Sequence, residues 1–370
     1  MKVLIVDTYY PAFLDRIYAE TPRLQRLRYA PQWRLLMDQC FGTADFYSES
    51  LRPLGCDTHE VVANADALQR RWARQHAAHL WAAYPLYRAR GTHKDWHLAV
   101  LKAQVEKLKP DVLYVQDLNW MATTLLQALR RKVQLIVGQT ACALRADIDF
   151  QPYDLIVSSF PHYVERFRQQ GLKSEYLRFA FDPRVLNRLG PVSPGKAVVF
   201  VGGYSTTTHG RGGQLLEEVA SRVSVNFWGY GADALPASSV VRKSYHGEAW
   251  GLQMYRVLAA SRIGLNRHSD SAGRFANNMR LFEATGVGTL LLTDWKDDLN
   301  EMFMVGKEVV AYRTPEECAE LIGFYLEHEN ERRAIARAGQ KRTLREHTYQ
   351  QRMKELVDIL RKHLSLAVRR

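Results

Sequence analysis

The residues best placed to do chemistry lie in the segment "GRFANNMRLFEATGVGTLLLTD", residues 273–294. Its end is an apolar run typical of a buried strand, and the residues before that run have the spacing of a short helix. On this helix Arg280 and Glu283 lie three residues apart and share one face. The Glu283 carboxylate could accept two hydrogen bonds from the cis-diol of a ribose. A purely structural Arg280–Glu283 ion pair is the alternative.

The turn before this helix is polar as well. Asn277 and Asn278 would project side-chain amides and backbone N–H groups from the helix start, where anions are bound favourably. The segment therefore predicts a site for a ligand with both a ribose and a phosphate.

A second candidate is the loop in "FVGGYSTTTHGRGG", which joins a predicted strand to a predicted helix. Glycines let a backbone approach a phosphate closely, and a helix start offers it free N–H groups. A tight turn would explain the glycines equally well, since the loop matches neither GxGxxG nor the P-loop. The candidate residues here are Gly202, Gly203, Tyr204, His209 and Arg211.

Two further loops follow predicted strands in "VNFWGYGAD" and "SVVRKSYHG". They would lie beside the glycine loop at one edge of a sheet and could hold a purine or pyrimidine base. Their candidate residues are Gly229, Tyr230, Tyr245, His246 and Gly247.

Candidate general bases occur in the first half of the chain. Asp117 and His162 each follow a predicted strand and could remove a proton from a hydroxyl group. Capping of the next helix is the alternative for both. The acids of "DID", residues 147–149, have the spacing of a metal-binding DxD motif, although a solvated loop explains them better.

Residues 8–54 form a long aromatic insert between the first two predicted strands. Long connections are often functional, so we expect Tyr9, Tyr10 and Asp45 to bind an acceptor molecule. An aromatic helical pair that packs on its own core is the alternative.

The elements that must position these residues alternate between short apolar strands and helices, which predicts an α/β fold. The predicted helices of the first half span 97–108, 121–131 and 162–170, and residues 329–370 predict one or two long helices. A turn-rich passage interrupts the alternation at 187–196. We therefore expect two Rossmann-like, doubly wound domains that face each other across a cleft, spanning 1–186 and 197–345, with a linker at 187–196 and a C-terminal helix at 346–370.

The composition restricts partners and location. With 51 basic and 39 acidic residues the net charge is +12, which suits anionic ligands, including a sugar nucleotide or a phospholipid surface. Nucleic acid is not expected, because no aromatic-basic module is present. The four scattered cysteines and the absence of a signal peptide or membrane span predict a cytoplasmic protein. The sequence leaves the oligomeric state open.

The segment 273–294 together with "FVGG" and "FWGYG" resembles the nucleotide-binding domain of GT-B glycosyltransferases, most closely the CgeB-like branch of the group-1 family. "DLIVSSFPHYVERFRQQG" and "LRFAFDP" resemble the end of that family's N-terminal domain. The resemblance implies that Glu283 binds ribose, that Arg211 contacts phosphate and that the C-terminal helices pack back toward the N-terminal domain. Many retaining relatives have another glutamate where this chain has Phe275, so the stereochemical outcome stays open.

The resemblance implies transfer of a sugar from a nucleotide-diphosphate donor to a hydroxyl of a glycan, lipid-linked saccharide, protein or small molecule, as in polysaccharide biosynthesis. No cofactor or metal is expected, because the glycine loop, Arg211 and Arg280 could stabilise the departing diphosphate. A sugar-nucleotide epimerase on the same fold and a non-catalytic two-domain binding protein are the alternatives.

Overall fold

The computed structural model describes residues 1–204 and 210–368. It divides into two compact units, residues 1–177 with 353–370 and residues 178–352. The division precedes the turn-rich passage at 187–196, because the helix Arg184–Leu189 already packs on the helix Leu252–Ala260 of the second unit.

The first unit is built on a parallel sheet with the strand order β2-β1-β3-β4-β5-β6. Its apolar runs are buried on both faces, as the sequence predicts. The last strand was not predicted, because it is only three residues long and mostly polar. The strands are β1 (Lys2–Asp7), β2 (Asp57–Val62), β3 (Val112–Val115), β4 (Leu135–Thr140), β5 (Leu155–Ser158) and β6 (Ser174–Tyr176).

Helices cover this sheet, and the three predicted in the first half are confirmed with small differences at their ends. The insert at 8–54 folds into three short helices that pack around an aromatic cluster, in which Phe13 and Phe41 stack with ring centres 4.1 Å apart. The helices are α1 (Pro11–Glu20), α2 (Tyr29–Met37), α3 (Phe46–Leu51), α4 (Asp66–His76), α5 (Ala78–Ala89), α6 (His93–Leu108), α7 (Thr123–Leu129) and α8 (Pro161–Gln169).

The second unit has its own parallel sheet with the order β11-β10-β9-β7-β8. The strand predicted over 239–247 is wrong. Residues 240–243 form a helical turn, because the Ser239 hydroxyl caps it by accepting the Arg242 N–H at 3.0 Å. The strands are β7 (Val198–Val201), β8 (Asn226–Trp228), β9 (Ile263–Asn266), β10 (Leu290–Asp294) and β11 (Val310–Tyr312).

The remaining helices include the two long C-terminal ones that the sequence predicts. The final helix continues into the first unit, where Lys362 and His363 bind the Glu175 carboxylate at 2.7 and 3.2 Å. No helix within the described ranges is long and apolar enough to cross a bilayer. The helices are α9 (Arg184–Leu189), α10 (Gly210–Arg222), α11 (Val240–Lys243), α12 (Leu252–Ala260), α13 (Arg280–Gly286), α14 (Leu299–Met302), α15 (Pro315–Glu327), α16 (Glu329–Glu346) and α17 (Tyr349–Val368).

Candidate active site

The strand order of each sheet reverses at one point. In the first unit this point lies between β1 and β3, and in the second unit between β7 and β9. Doubly wound sheets bind ligands at such points, beyond the carboxyl ends of the strands. The residues just after β7 and β9 are therefore the first candidates for a site in the second unit.

The three loops after β7, after β8 and at 245–247 lie side by side, as expected. The Gly202 N–H donates to the Trp228 carbonyl at 2.9 Å, and the Gly229 N–H donates to the Gly247 carbonyl at 3.1 Å. The Tyr245 hydroxyl donates to the Gly229 carbonyl at 2.5 Å. These bonds create one continuous glycine-lined edge.

The glycines are required for this close packing. Gly229 has φ +134°, and a Cβ there would lie 1.7 Å from the Gly202 carbonyl oxygen. A Cβ on Gly203 would meet the Tyr230 ring at 2.6 Å. The tight-turn explanation of the glycines is thus physically sufficient.

The aromatic residues of these loops have different environments. Tyr204 is buried in the core of the unit, and burial raises the pKa of its hydroxyl. Tyr230 stacks on Trp250 with ring centres 5.6 Å apart. His246 is exposed and stacks on Trp228 at 4.6 Å. His246 and Tyr230 are therefore better placed than Tyr204 to contact a base.

Two predicted phosphate contacts fall at the margin of the described residues. His209 lies outside them. Arg211 lies in the first turn of α10, whose backbone is described from Gly210 onward.

The turn before α13 is fastened to the end of β9. The Asn278 side-chain amide donates to the Asn266 side chain at 2.9 Å and to the Arg267 carbonyl at 3.1 Å, while its oxygen accepts the Leu281 N–H at 3.2 Å. Asn278 thus holds the turn before α13 against the end of β9, where the candidate site lies. Asn277 is 7% exposed, and its Nδ2 has no hydrogen-bond partner in the described part of the chain.

Arg280 and Glu283 form the ion pair that the sequence left as an alternative. Arg280 Nη1 lies 2.7 Å from Glu283 Oε2, and the Tyr255 hydroxyl donates to Oε1 at 3.3 Å. Burial raises the pKa of Glu283, and Arg280 and Tyr255 oppose that rise. Each carboxylate oxygen still has a second lone pair with which to accept a hydrogen bond.

Sequence reasoning missed Arg267 and His268, which directly follow β9. Both are buried, at 8% and 4% exposure. His268 Nδ1 lies 2.6 Å from Asp294 Oδ1, at the end of the neighbouring strand β10. The available signal was two basic residues just after the apolar run of "RIGLNRH", at a strand end where ligands bind.

In the first unit the strand reversal brings two acids together. The Thr8 hydroxyl donates to Asp117, and the Thr8 N–H donates to Asp7 at 2.8 Å. Burial raises the pKa of Asp7 to about 7; the Thr8 N–H opposes this rise, and the charge of Asp117 adds to it. Asp117 also accepts the Trp120 N–H at 3.0 Å, but Trp120 lies in a turn and the N-cap of α7 is Ala122, so the helix-capping role predicted for Asp117 is wrong.

The other candidates for acceptor binding differ in their exposure to solvent. Tyr9 and Asp45 are buried at 3% and 0% exposure, because they pack inside the insert, and this does not suit contact with an acceptor. Tyr10 is 49% exposed and remains available. His162 lies in the first turn of α8, against the rings of Phe160 and Tyr163.

A cavity of about 300 Å³ in the first unit is lined by Leu118 and Asn119, which follow Asp117 in the chain. It is polar, and Tyr153 and Asn119 contribute to its wall. Asp147 of "DID" lines it too but is bound by Arg145, with Nη2 2.6 Å from Oδ2. Among the residues that the structure describes, no three His, Cys, Asp or Glu side chains are grouped to hold a metal ion.

Part of the chain matches a known protein family. Residues 211–358, which include the β9 and α13 ends, match the family model described as glycosyl transferase-like. No curated protein sequence matches the chain significantly.

Solved structures share the fold at low sequence identity. AviGT4, a glycosyltransferase involved in avilamycin A biosynthesis, is 13% identical with a TM-score of 0.55, over 99% of this chain and 98% of its own. Alr3699/HepE of Anabaena, solved with UDP and glucose, is 11% identical with a TM-score of 0.54, over 98% of this chain and 100% of its own. A glycosyltransferase from Rickettsia africae ESF-5 is 9% identical with a TM-score of 0.54, over 98% of each chain.

Proposed function

We propose that the chain is a glycosyltransferase of the GT-B fold, which moves a sugar from a nucleoside-diphosphate donor to an acceptor hydroxyl without a metal ion. The observation that carries the proposal is the polar edge of the second sheet, where glycine-lined loops follow β7 and β8, and the turn that carries Asn277 is bonded through Asn278 to the end of β9, across the strand reversal. The HepE structures with UDP and with UDP-glucose support the class of donor.

In this proposal Glu283 accepts hydrogen bonds from the ribose hydroxyls. Arg280 favours the ionised form of Glu283, which offers only acceptors. A carboxylate is suited to a diol, because two neighbouring hydroxyls can each donate to it.

Transfer breaks the bond between the sugar C1 and the diphosphate oxygen, and the electron pair stays on the diphosphate. Fixed N–H groups and positive charges aimed at that oxygen are the largest contribution that a protein can make. The start of α10 and Asn277 are proposed for this role. These groups would do what a metal ion does in other enzymes, which is to stabilise the departing diphosphate, and they therefore support a metal-independent reaction.

The acceptor is proposed to bind in the first unit, with Asp117 as the group that receives its proton. The polar cavity lined by Leu118 and Asn119, the two residues after Asp117, has the volume of a small ligand site. Asp7, with a pKa of about 7, provides a second carboxyl that titrates near neutral pH. A base of this kind serves inverting transfer, with His162 as the other candidate.

A reducing, cytoplasmic location is also proposed. All four cysteines lie in the described residues, and no disulfide joins them. Proteins whose cysteines form no disulfide are typical of compartments that keep thiols reduced.

Donor turnover tests the function. The protein is incubated with UDP-, GDP- and dTDP-sugars, with and without candidate acceptors, and released nucleoside diphosphate is measured. Release from one of these donors is expected. Failure to bind and turn over any of them would contradict the proposal.

The ribose role of Glu283 is tested by Glu283→Gln with Glu320→Gln as the matched control, because Glu320 is an exposed carboxylate of α15 and its substitution removes one negative charge away from the site. Wild type should bind its nucleoside diphosphate better than the 2′,3′-dideoxy analogue by about tenfold or more, since a hydrogen bond to a charged group contributes roughly 1.5–3 kcal/mol. Titration calorimetry should show that this preference for the ribose hydroxyls is lost in Glu283→Gln and kept in Glu320→Gln. A preference that survives in Glu283→Gln would exclude the ribose role.

A further inference from the structure

An arginine that forms no ion pair in the described part of the chain is buried at the strand reversal of the second unit. Arg267 is 8% exposed, and no carboxylate in the described ranges lies within ion-pair distance of its guanidinium. Its Nη1 donates to the His268 carbonyl at 3.3 Å, and its Nε has no hydrogen-bond partner among the described residues. The undescribed segments 205–209 and 369–370 contain no Asp or Glu side chain that could supply the missing charge.

Such an arrangement is unfavourable in the empty protein. A buried ion loses its hydration, and only a nearby opposite charge with hydrogen bonds compensates for that loss. Burial accordingly lowers the pKa of Arg267, and Asp270 and Asp294 offset this only in part. An anionic ligand that binds beside the guanidinium would provide the missing charge.

Two neighbouring side chains independently indicate a ligand at the same place. His268 is held by Asp294 through Nδ1, and its Nε2 is buried without a partner in the described structure. The Nδ2 of Asn277 is likewise buried and unused within the described ranges. The Asn278 amide, bonded to the Arg267 carbonyl at 3.1 Å, keeps the turn that carries Asn277 beside the end of β9.

We propose that Arg267 is the buried counter-charge for the diphosphate of the donor, with Asn277 and His268 as adjacent hydrogen-bond partners. The inference rests on the proposed function and identifies the residue that neutralises the departing diphosphate. When the sugar C1 leaves the diphosphate oxygen and bonds to the acceptor oxygen, the acceptor proton passes to the base and the electron pair remains on the diphosphate. Arg267 stabilises that negative charge.

The test compares Arg267→Met with Arg262→Met by titration calorimetry, using UDP, GDP, dTDP and the three corresponding nucleosides. Arg262 is an exposed arginine at the opposite end of the same strand, so it controls for the loss of one positive charge. Arg267→Met should weaken binding of the diphosphate by about 30-fold, as expected for a charge-assisted hydrogen bond, and leave nucleoside binding nearly unchanged. Arg262→Met should alter neither, and Arg267→Lys should recover part of the affinity.

Thermal unfolding of the empty protein separates binding from a structural role. Since an apolar side chain replaces an uncompensated charge, Arg267→Met should melt no lower than wild type. If Arg267→Met instead binds the diphosphate as wild type does, or melts well below wild type and weakens diphosphate and nucleoside equally, the inference is overturned while the proposed function stands. If wild type binds none of the three diphosphates, the proposed function fails and the inference fails with it.

Discussion

At the scale of single residues, Asp7 has the clearest electrostatic consequence. Its carboxyl lies at the carboxyl end of β1, and burial, together with the charge of Asp117, raises its pKa to about 7 despite the Thr8 N–H bond. The unfolded chain releases this proton near pH 4, whereas the folded chain holds it until about pH 7. The stabilising contribution is therefore complete below pH 4 and is lost as the pH rises through 7.

We predict that wild type loses roughly 2–3 kcal/mol of unfolding free energy between pH 5 and pH 8 from this group, and that Asp7→Asn does not. Urea denaturation at the two pH values measures the difference. Asp15→Asn, at an exposed position of α1, is the control and should keep the wild-type pH dependence. An Asp7→Asn protein that loses as much stability as wild type would show that Asp7 titrates normally.

The residue scale is also where sequence reasoning was least complete. The helix spacing of Arg280 and Glu283 indicated either a ribose ligand or an ion pair, and the structure contains the ion pair. Arg267 and His268 were missed, because nothing in the letters "NRH" reveals that both side chains are buried. Burial depends on how β9 packs between β7 and β10, which a single sequence does not report.

At the scale of elements, the contact between the β7 and β8 loops depends on one glycine. Gly229 has a positive φ and touches the Gly202 backbone. We predict that Gly229→Ala destabilises the second unit by more than about 3 kcal/mol, since both the conformation and the close contact are lost. Urea denaturation, followed by a signal from the second unit, measures the loss in unfolding free energy.

Gly323 of α15 is the matched control. A Cβ there meets no described atom within 4 Å. Gly323→Ala should be neutral or stabilise by up to about 1 kcal/mol, because alanine favours helix. Equal effects of the two substitutions would refute the steric explanation for Gly229.

Long apolar strands and amphipathic helices were predictable, whereas short polar elements were not. The apolar run "KVLIVD" is typical of a strand that is buried on both faces, and it forms β1. By contrast, β6 has three residues and contains Glu175, whose partners Lys362 and His363 come from the other end of the chain. At 239–247 the Ser239 cap outweighed the strand-like valines.

At the scale of the whole molecule, the first unit includes the last part of α17. Leu356 and Leu360 are buried there, and Lys362 binds Glu175 of β6. We predict that a chain truncated after Arg352 loses hydrogen-exchange protection in β5 and β6 but retains it in β9 and β10, because only the first unit loses core residues. Exchange measured by mass spectrometry on both chains tests this.

A milder truncation after Leu364 removes residues 365–370, of which the two with described side chains, Ser365 and Leu366, are exposed, and serves as the control. It should leave protection in both sheets near the wild-type level. Equal protection of β5 and β6 in all three chains would mean that the helix end contributes little to the first unit.

The central claim is that the donor diphosphate binds at the strand reversal of the second sheet, beside Arg267, Asn277 and Glu283. A crystal structure with the nucleoside diphosphate that binds most tightly tests it most directly. We predict phosphate oxygens within about 3–4 Å of Arg267 and Asn277, with the ribose hydroxyls on Glu283. A nucleotide bound elsewhere, with Arg267 still buried and without an anion beside it, would contradict the claim.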